Sequence, residues 1–280
     1  MSIEINETLT DKEKEVLNGN DFFNKTISIS GSSANSYALS GDYNPIGFGN
    51  GFTVAHYDRP FGKECITFGN NGDTLCIFPM FSETSDLKPK GSAIPFPLKE
   101  MHYYYNEQYT FRYLYNDTVY KIQSPNIIHP VYVIDFGQHK LTPEAWIKQS
   151  EELQNCIILR DMCEDEKYLY LYFHKGYDNH KNSNEIKYWR GLYNKATGNF
   201  FVLPDNSYII NDIDGGMSFF PKSIDSQGRK MAFYRGKTIK KTLTAEYFEN
   251  TKASNPNKKE SLKQFVKTLS DDDMVIMVVK

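Results

Sequence analysis

The sequence predicts an all-β fold, and three observations carry that prediction. Aromatic residues make up 15% of the 280-residue chain, with 20 Tyr and 19 Phe, and flat rings pack well on a pleated surface. Apolar runs are about four to eight residues long, with turn residues every ~8–12 positions. Strand pairs gather into larger units of ~45–50 residues, which suits a β-propeller of four-stranded antiparallel blades better than a β-sandwich, the structural alternative.

Residues 1–20 are polar; Thr10 and Glu13 form a capping pair for a short helix that ends at Asn18-Gly19. The first strand is Phe22–Ser30, with Ile27 and Ile29 on one face. A small-residue loop follows, then Phe48-Gly49-Asn50-Gly51-Phe52 as a tight turn or glycine kink. Thr53–Tyr57, Cys65–Phe68 and Thr74–Phe81 are the next strands, and Asn71-Gly72 reads as a two-residue hairpin turn. That turn sets Cys76 opposite Thr67 and Cys65 opposite Phe78. The two cysteines then lie diagonally, ~7 Å apart, which is long for a disulfide.

Beyond the Pro- and Lys-bearing loop Lys88–Pro97, the stretch Met101–Gly137 holds three or four strands broken at Asn106–Gln108, Asn116-Asp117 and Ser124–Asn126. This is the punctuation of an antiparallel meander. Thr142-Pro143-Glu144 starts a short helix that carries Trp146 and Ile147 inward. Asn155–Arg160 and Tyr168–His174 are joined by an acidic turn, and Tyr168–Phe173 is apolar on both faces, as an inner strand would be. Strands Lys187–Tyr193, Asn199–Leu203 and Lys230–Tyr234 follow. Two amphipathic helices come next, the second with the stripe Leu262, Phe265, Val266 and Leu269. Met274–Val279 is the last strand.

Several segments together resemble the C-terminal part of a six-bladed β-propeller family of bacterial exported proteins, often lipoproteins and distantly like NHL-repeat propellers. They are Tyr115–Tyr120, Tyr132–Gly137, Asn211–Gly216 with Phe219, Phe220 and Pro221, and the ending from Ser261–Phe265 through Asp271–Asp273 to Val275–Met277. The resemblance covers roughly residues 20–280. It implies a propeller domain over residues 21–280, about four blades and so incomplete relative to six, after a polar segment 1–20. It also implies export to the periplasm or cell surface, whereas the N-terminal residues carry neither a basic nor an apolar signal region. Met274–Val279 finds no strand partner in the polar residues 1–20. The expectation is therefore self-association, or pairing with a chain that supplies missing blades.

The formal charge of −3 is spread without a basic face, so nucleic acid is not an expected partner. No run of ~18 apolar residues is present to span a membrane. Cys65, Cys76, Cys156 and Cys163 show no CxxC spacing and read as core thiols.

In NDIDGG, Asp212 and Asp214 open as a calcium loop does, but the later ligand positions are missing, and Asp and Gly also make turns. The six histidines show neither HExxH nor HxH spacing, and no GxSxG or P-loop lysine is present. Tyr103, Tyr104, Tyr105, Tyr109, Tyr113 and Tyr115 could form a stacking platform, although alternate strand residues face opposite ways. The candidate ligand residues are Asp212, Asp214, Tyr103 and Tyr105. No catalytic residue, metal or cofactor is assigned.

The sequence therefore reads as a non-catalytic binding or scaffold propeller for a peptide, glycan or protein. The alternatives are a propeller hydrolase or lyase with a channel metal, and a truncated product without independent function.

Overall fold

The computed structural model describes residues 3–5, 43–49, 51–57, 65–78, 101–113, 115–148, 151–176, 186–204, 208–225 and 227–279. Among them lie sixteen strands in four antiparallel sheets of four. The first sheet contains β2 (Tyr43–Gly49), β3 (Phe52–Tyr57), β4 (Cys65–Gly69) and β5 (Thr74–Phe78). The second contains β6 (Met101–Tyr105), β7 (Gln108–Arg112), β8 (Thr118–Ser124) and β9 (Ile127–Val133). The third contains β10 (Ile157–Glu164), β11 (Tyr168–Lys175), β12 (Lys187–Asn194) and β13 (Phe200–Pro204). Each of these three is a simple meander, with strands neighbouring in chain order.

The fourth sheet is built differently. Its order is β1 (Ile3–Ile5), β16 (Met274–Val279), β15 (Lys230–Arg235) and β14 (Ser223–Ile224). Ile3 pairs with Val279 and Ile5 with Met277. This corrects the expectation that residues 1–20 hold no partner for the last strand. Three residues with two isoleucines are enough, because hydrogen bonds between backbones, rather than apolar side chains, make a ladder. The case for self-association from an unpaired Met274–Val279 falls with it.

Sheets pack face to face in chain order. Phe52, Val54, Cys65 and Phe78 of the first sheet meet Tyr109, Phe111, Tyr113 and Ile122 of the second. Met101, Tyr103 and Val119 of the second meet Leu159, Met162, Leu169, Leu171 and Phe173 of the third. The opposite face of the third sheet presents Cys163 and Tyr170 to Phe220, with Ile224 of β14 alongside. The third sheet is thus covered on both faces, and β11 lies inside it, buried over most of its length. This is why Tyr168–Phe173 lacks a polar face.

Local chemistry explains most boundaries. The turn between β4 and β5 is a type I turn in which Gly72 N donates to Gly69 O at 2.9 Å, followed by a bulge at Gly72, whose φ is +85°. It is longer than the two-residue Asn71-Gly72 turn expected, because the bulge absorbs one residue. Just beyond that turn Phe68 pairs with Thr74, one residue out of the predicted register, and a second shift between Phe68 and Thr67 restores it, with Thr67 opposite Cys76 and Cys65 opposite Phe78; all four thiols are free. In place of the expected small-residue loop, Tyr43–Gly49 forms β2, with a register shift between Pro45 and Gly47.

Helix α1 (Pro143–Lys148) follows Thr142, whose hydroxyl accepts from Ala145 N at 3.1 Å, and it buries Trp146. Between β15 and β16 the chain inserts α2 (Gly236–Thr242), α3 (Ala245–Asn250) and α4 (Pro256–Thr268). Thr244 and Asn255 cap the last two, each accepting an amide at 3.1 Å. Ile239, Leu243, Phe248, Leu262, Val266 and Leu269 form their shared core. Phe265, expected to be buried with its stripe, is only half-buried, because it borders a cleft rather than the centre of that core.

The expected helix at Thr10, strand Phe22–Ser30 and loop Lys88–Pro97 lie outside the described residues.

Candidate functional site

The packed contact between the second and third sheets gathers the most chemistry. Tyr103 and Tyr105 occupy alternate positions of β6, so both face the third sheet, while Tyr104, Tyr109 and Tyr113 pack toward the first. Tyr115 packs by α1. Strand period thus divides the tyrosine cluster among three places, and Tyr103 and Tyr105 share the one that faces the third sheet.

β6 ends at Tyr105 because Asn106 and Glu107 turn the chain, with φ of 48° and 56°. Two consecutive left-handed residues define the hairpin turn that matches strand twist. Asn tolerates that conformation; Glu is strained in it.

Glu164 closes β10 and is 4% exposed. Its carboxylate accepts Tyr103 OH at 3.0 Å and Tyr132 OH at 2.6 Å, and it pairs with Lys195. Lys195 follows β12 and also donates to the backbone oxygen of Asp165 at 2.5 Å, while its ammonium stands 4.3 Å from the centre of the Tyr105 ring. Lys121 approaches the same ring at 5.6 Å. Tyr193 meets Tyr132 edge to face, with centroids 6.4 Å apart.

One carboxylate therefore ties four elements together. The Tyr103 phenol has its pKa raised well above 10 by burial first and then by the Glu164 charge, so it is a fixed hydrogen-bond donor. Tyr132 is likewise raised, by burial and by its bond to Glu164. Tyr103 is buried, whereas Tyr105, Tyr132, Tyr193 and Lys121 remain half-buried and reach the surface above it.

The adjoining turn is fixed separately. Asp165 accepts the amides of Lys167 and Tyr168 at 2.8 and 2.7 Å, the Tyr170 hydroxyl at 3.0 Å and the Lys230 ammonium at 2.9 Å. Burial alone would raise its pKa, but the Lys230 and amide contacts outweigh it and hold it below the usual value.

Asp212 and Asp214 lie elsewhere, and they diverge. Asp214 is 3% exposed; its Oδ1 accepts Asn211 Nδ2 at 2.6 Å and Gly216 N at 2.8 Å. Asp212 is exposed, and its backbone oxygen accepts Ser254 N at 2.8 Å. Gly215 supplies the positive φ of 68° that the turn requires. The NDIDGG loop thus seats the helical insertion on the fourth sheet. Among the described residues, no three His, Cys, Asp or Glu side chains converge as metal ligands. His102, His129, His139 and His174 sit apart, with His102 stacked on Tyr109 and His129 hydrogen-bonded through Nε2 to Gln123 Oε1.

A second aromatic cluster fills the cleft between the third and fourth sheets. Arg190, buried, lies 3.8 Å from the centre of the Tyr208 ring, and Lys222 lies 3.7 Å from that of Tyr172.

The residues missed in the sequence are Glu164, Tyr132 and Lys195. Glu164 opens the acidic run Glu164-Asp165-Glu166, which reads as a solvated turn. The available signal was its place at the end of an apolar strand, in phase with Met162 on the face that packs on the second sheet.

The architecture defines a mostly β protein of four-stranded antiparallel sheets with a few short helices. A family described as a domain of unknown function, DUF4933, matches residues 15–245, and the chain belongs to it. Among solved structures, a Bacteroides fragilis protein inferred to be exported is similar at 13% identity and a TM-score of 0.45, over 89% of this chain and 79% of that one. No curated protein matches. No helix of the described residues is long and apolar enough to cross a membrane.

Proposed function

We propose that the protein is a non-catalytic binding or scaffold β-propeller whose ligand, a peptide, glycan or protein, docks on Tyr105, Tyr132, Tyr193 and Lys121. Three features support the propeller reading. The sheets follow one another face to face in chain order, and the first strands β6, β10 and β14 pack together. An N-terminal strand also completes the last sheet. A propeller uses such a strand to join its ends. An experimental structure that counts blades around a central axis tests this directly.

The observation that carries the binding reading is the buried Glu164 tie beneath half-buried rings. Aromatic rings with few rotatable bonds contribute large contact area at low entropic cost, the more so when their orientation is fixed beforehand. Strain at Glu107, two residues beyond Tyr105, fits a position held for function rather than stability. Screening against peptide and glycan arrays, followed by Tyr105→Ala, is the test. The variant should stay folded, melting a few degrees lower because a half-buried ring is lost, and should lose ligand. Retained binding would remove Tyr105 from the site, and a stoichiometric metal found by elemental analysis would favour a metal-dependent enzyme.

A further inference from the structure

At the other end of β10 a different polar group is stranded. Arg112, the last residue of β7, is 3% exposed, and its Nε is buried with no hydrogen-bond partner. Arg112 lines a small cavity of about 10 Å³ together with Lys140, Leu141, Ile158 and Leu159. The Phe136 ring lies 5.4 Å from the central carbon of the guanidinium. Asp117 is the nearest counter-charge, but its Oδ2 is taken by Lys140 at 2.7 Å, and its Oδ1 is itself buried without a partner. Burial lowers the Arg112 pKa to about 10, with the Asp117 charge acting against that, so the group stays charged at neutral pH.

A buried N–H donor on a charged group is unfavourable without an acceptor, and native structures avoid it by pairing. Arg112, Lys140 and Asp117 together carry one net positive charge. A single monoanion would neutralise the group and accept the orphaned Nε–H. Size then selects the occupant. A space of this volume holds about one water-sized particle, so a monatomic halide is the anion closest to it in size, and tetrahedral sulfate or phosphate is too large.

We propose that this cavity is a binding site for one halide-sized monoanion, held by Arg112 and Lys140 between the second and third sheets. It lies five to seven residues of β10 away from Glu164, roughly 20 Å along an extended strand, and is independent of the ligand face above.

The test uses sodium bromide. A bromide-soaked crystal of the full chain should show an anomalous peak beside Arg112 Nε. Thermal melts at constant ionic strength, exchanging gluconate for bromide, should show a saturable rise in Tm. Arg112→Met should abolish that rise, and Lys140→Gln, at a half-exposed position, should weaken half-saturation about fivefold. If Arg112→Met does not fold, the soak and Lys140→Gln decide. Absence of the peak at Arg112, with melts that do not distinguish bromide from gluconate, would mean that the cavity holds water only and would overturn the proposal.

Discussion

Removing the Glu164 carboxylate tests the central tie most directly. Glu164→Ala leaves two phenolic donors without their acceptor, Tyr103 buried and Tyr132 half-buried. Each stranded buried donor costs about 1–3 kcal/mol, with Tyr132 at the low end because water reaches it. Lys195 keeps the Asp165 carbonyl and some solvent, so its lost partner adds about 1 kcal/mol. The expected loss is about 3–5 kcal/mol, the range seen when one member of a buried pair is removed. Glu164→Gln keeps one oxygen for one tyrosine and should lose about 2 kcal/mol. Equilibrium urea denaturation reads both. In the Glu164→Ala background, Lys195→Met should cost less than in wild type, by about 1 kcal/mol of coupling. A Glu164→Ala protein within about 1 kcal/mol of wild type, at unchanged denaturant slope, would refute the idea that this carboxylate joins the sheets.

Other expectations follow from single contacts. A Cβ at Gly236 would stand 1.9 Å from the Ser270 carbonyl oxygen, so Gly236→Ala should cost about 3 kcal/mol in chemical denaturation; a neutral result would show that α2 approaches the turn before β16 less closely than described. Leu262→Ala, in the helical core, should cost about 3–4 kcal/mol and Phe265→Ala, half-buried, about 2, and the reverse order would place the stripe differently. Glu107→Gly should stabilise by about 1 kcal/mol by relieving a left-handed residue; its melting temperature decides.

Alkaline pH supplies a further check. The Tyr103 pKa is raised in the folded state, so its contribution is complete below the unfolded value of about 10 and declines as pH rises beyond it. The stability gap between wild type and Tyr103→Phe should therefore narrow by about 1.4 kcal/mol per pH unit above 10. A constant gap would contradict the assignment.

Where local chemistry decides structure, the sequence is readable. Alternation and turn residues mark the strands from Met101 to Leu203, and Thr142-Pro143 marks α1. The Cys65 register also follows from the hairpin, although its turn is longer than expected. β2 escapes because Pro45, Gly47 and Gly49 carry weak strand preference, and neighbouring strands override it. Glu164, Tyr132 and Lys195 escape for another reason. They lie 31 to 63 positions apart and meet only after two sheets stack, and a side-chain pattern along one strand does not encode the facing sheet. Tyr103 and Tyr105 were legible as a same-face pair, but not the burial that separates their roles.

The pairing of Ile3–Ile5 with Met277–Val279 imposes an order of events during synthesis. Each of the first three sheets is encoded by one contiguous stretch and can assemble as it leaves the ribosome. The fourth cannot. At about 5–20 residues per second, the opening strand waits roughly 15–50 s for its mate to be made. Throughout that interval Ile3–Ile5 has exposed amides and carbonyls, and the sheets already formed have no fourth neighbour. A nascent chain stalled anywhere before Met274 would stay in that state, a target for holdase chaperones and proteases, although most of its secondary structure could already be in place.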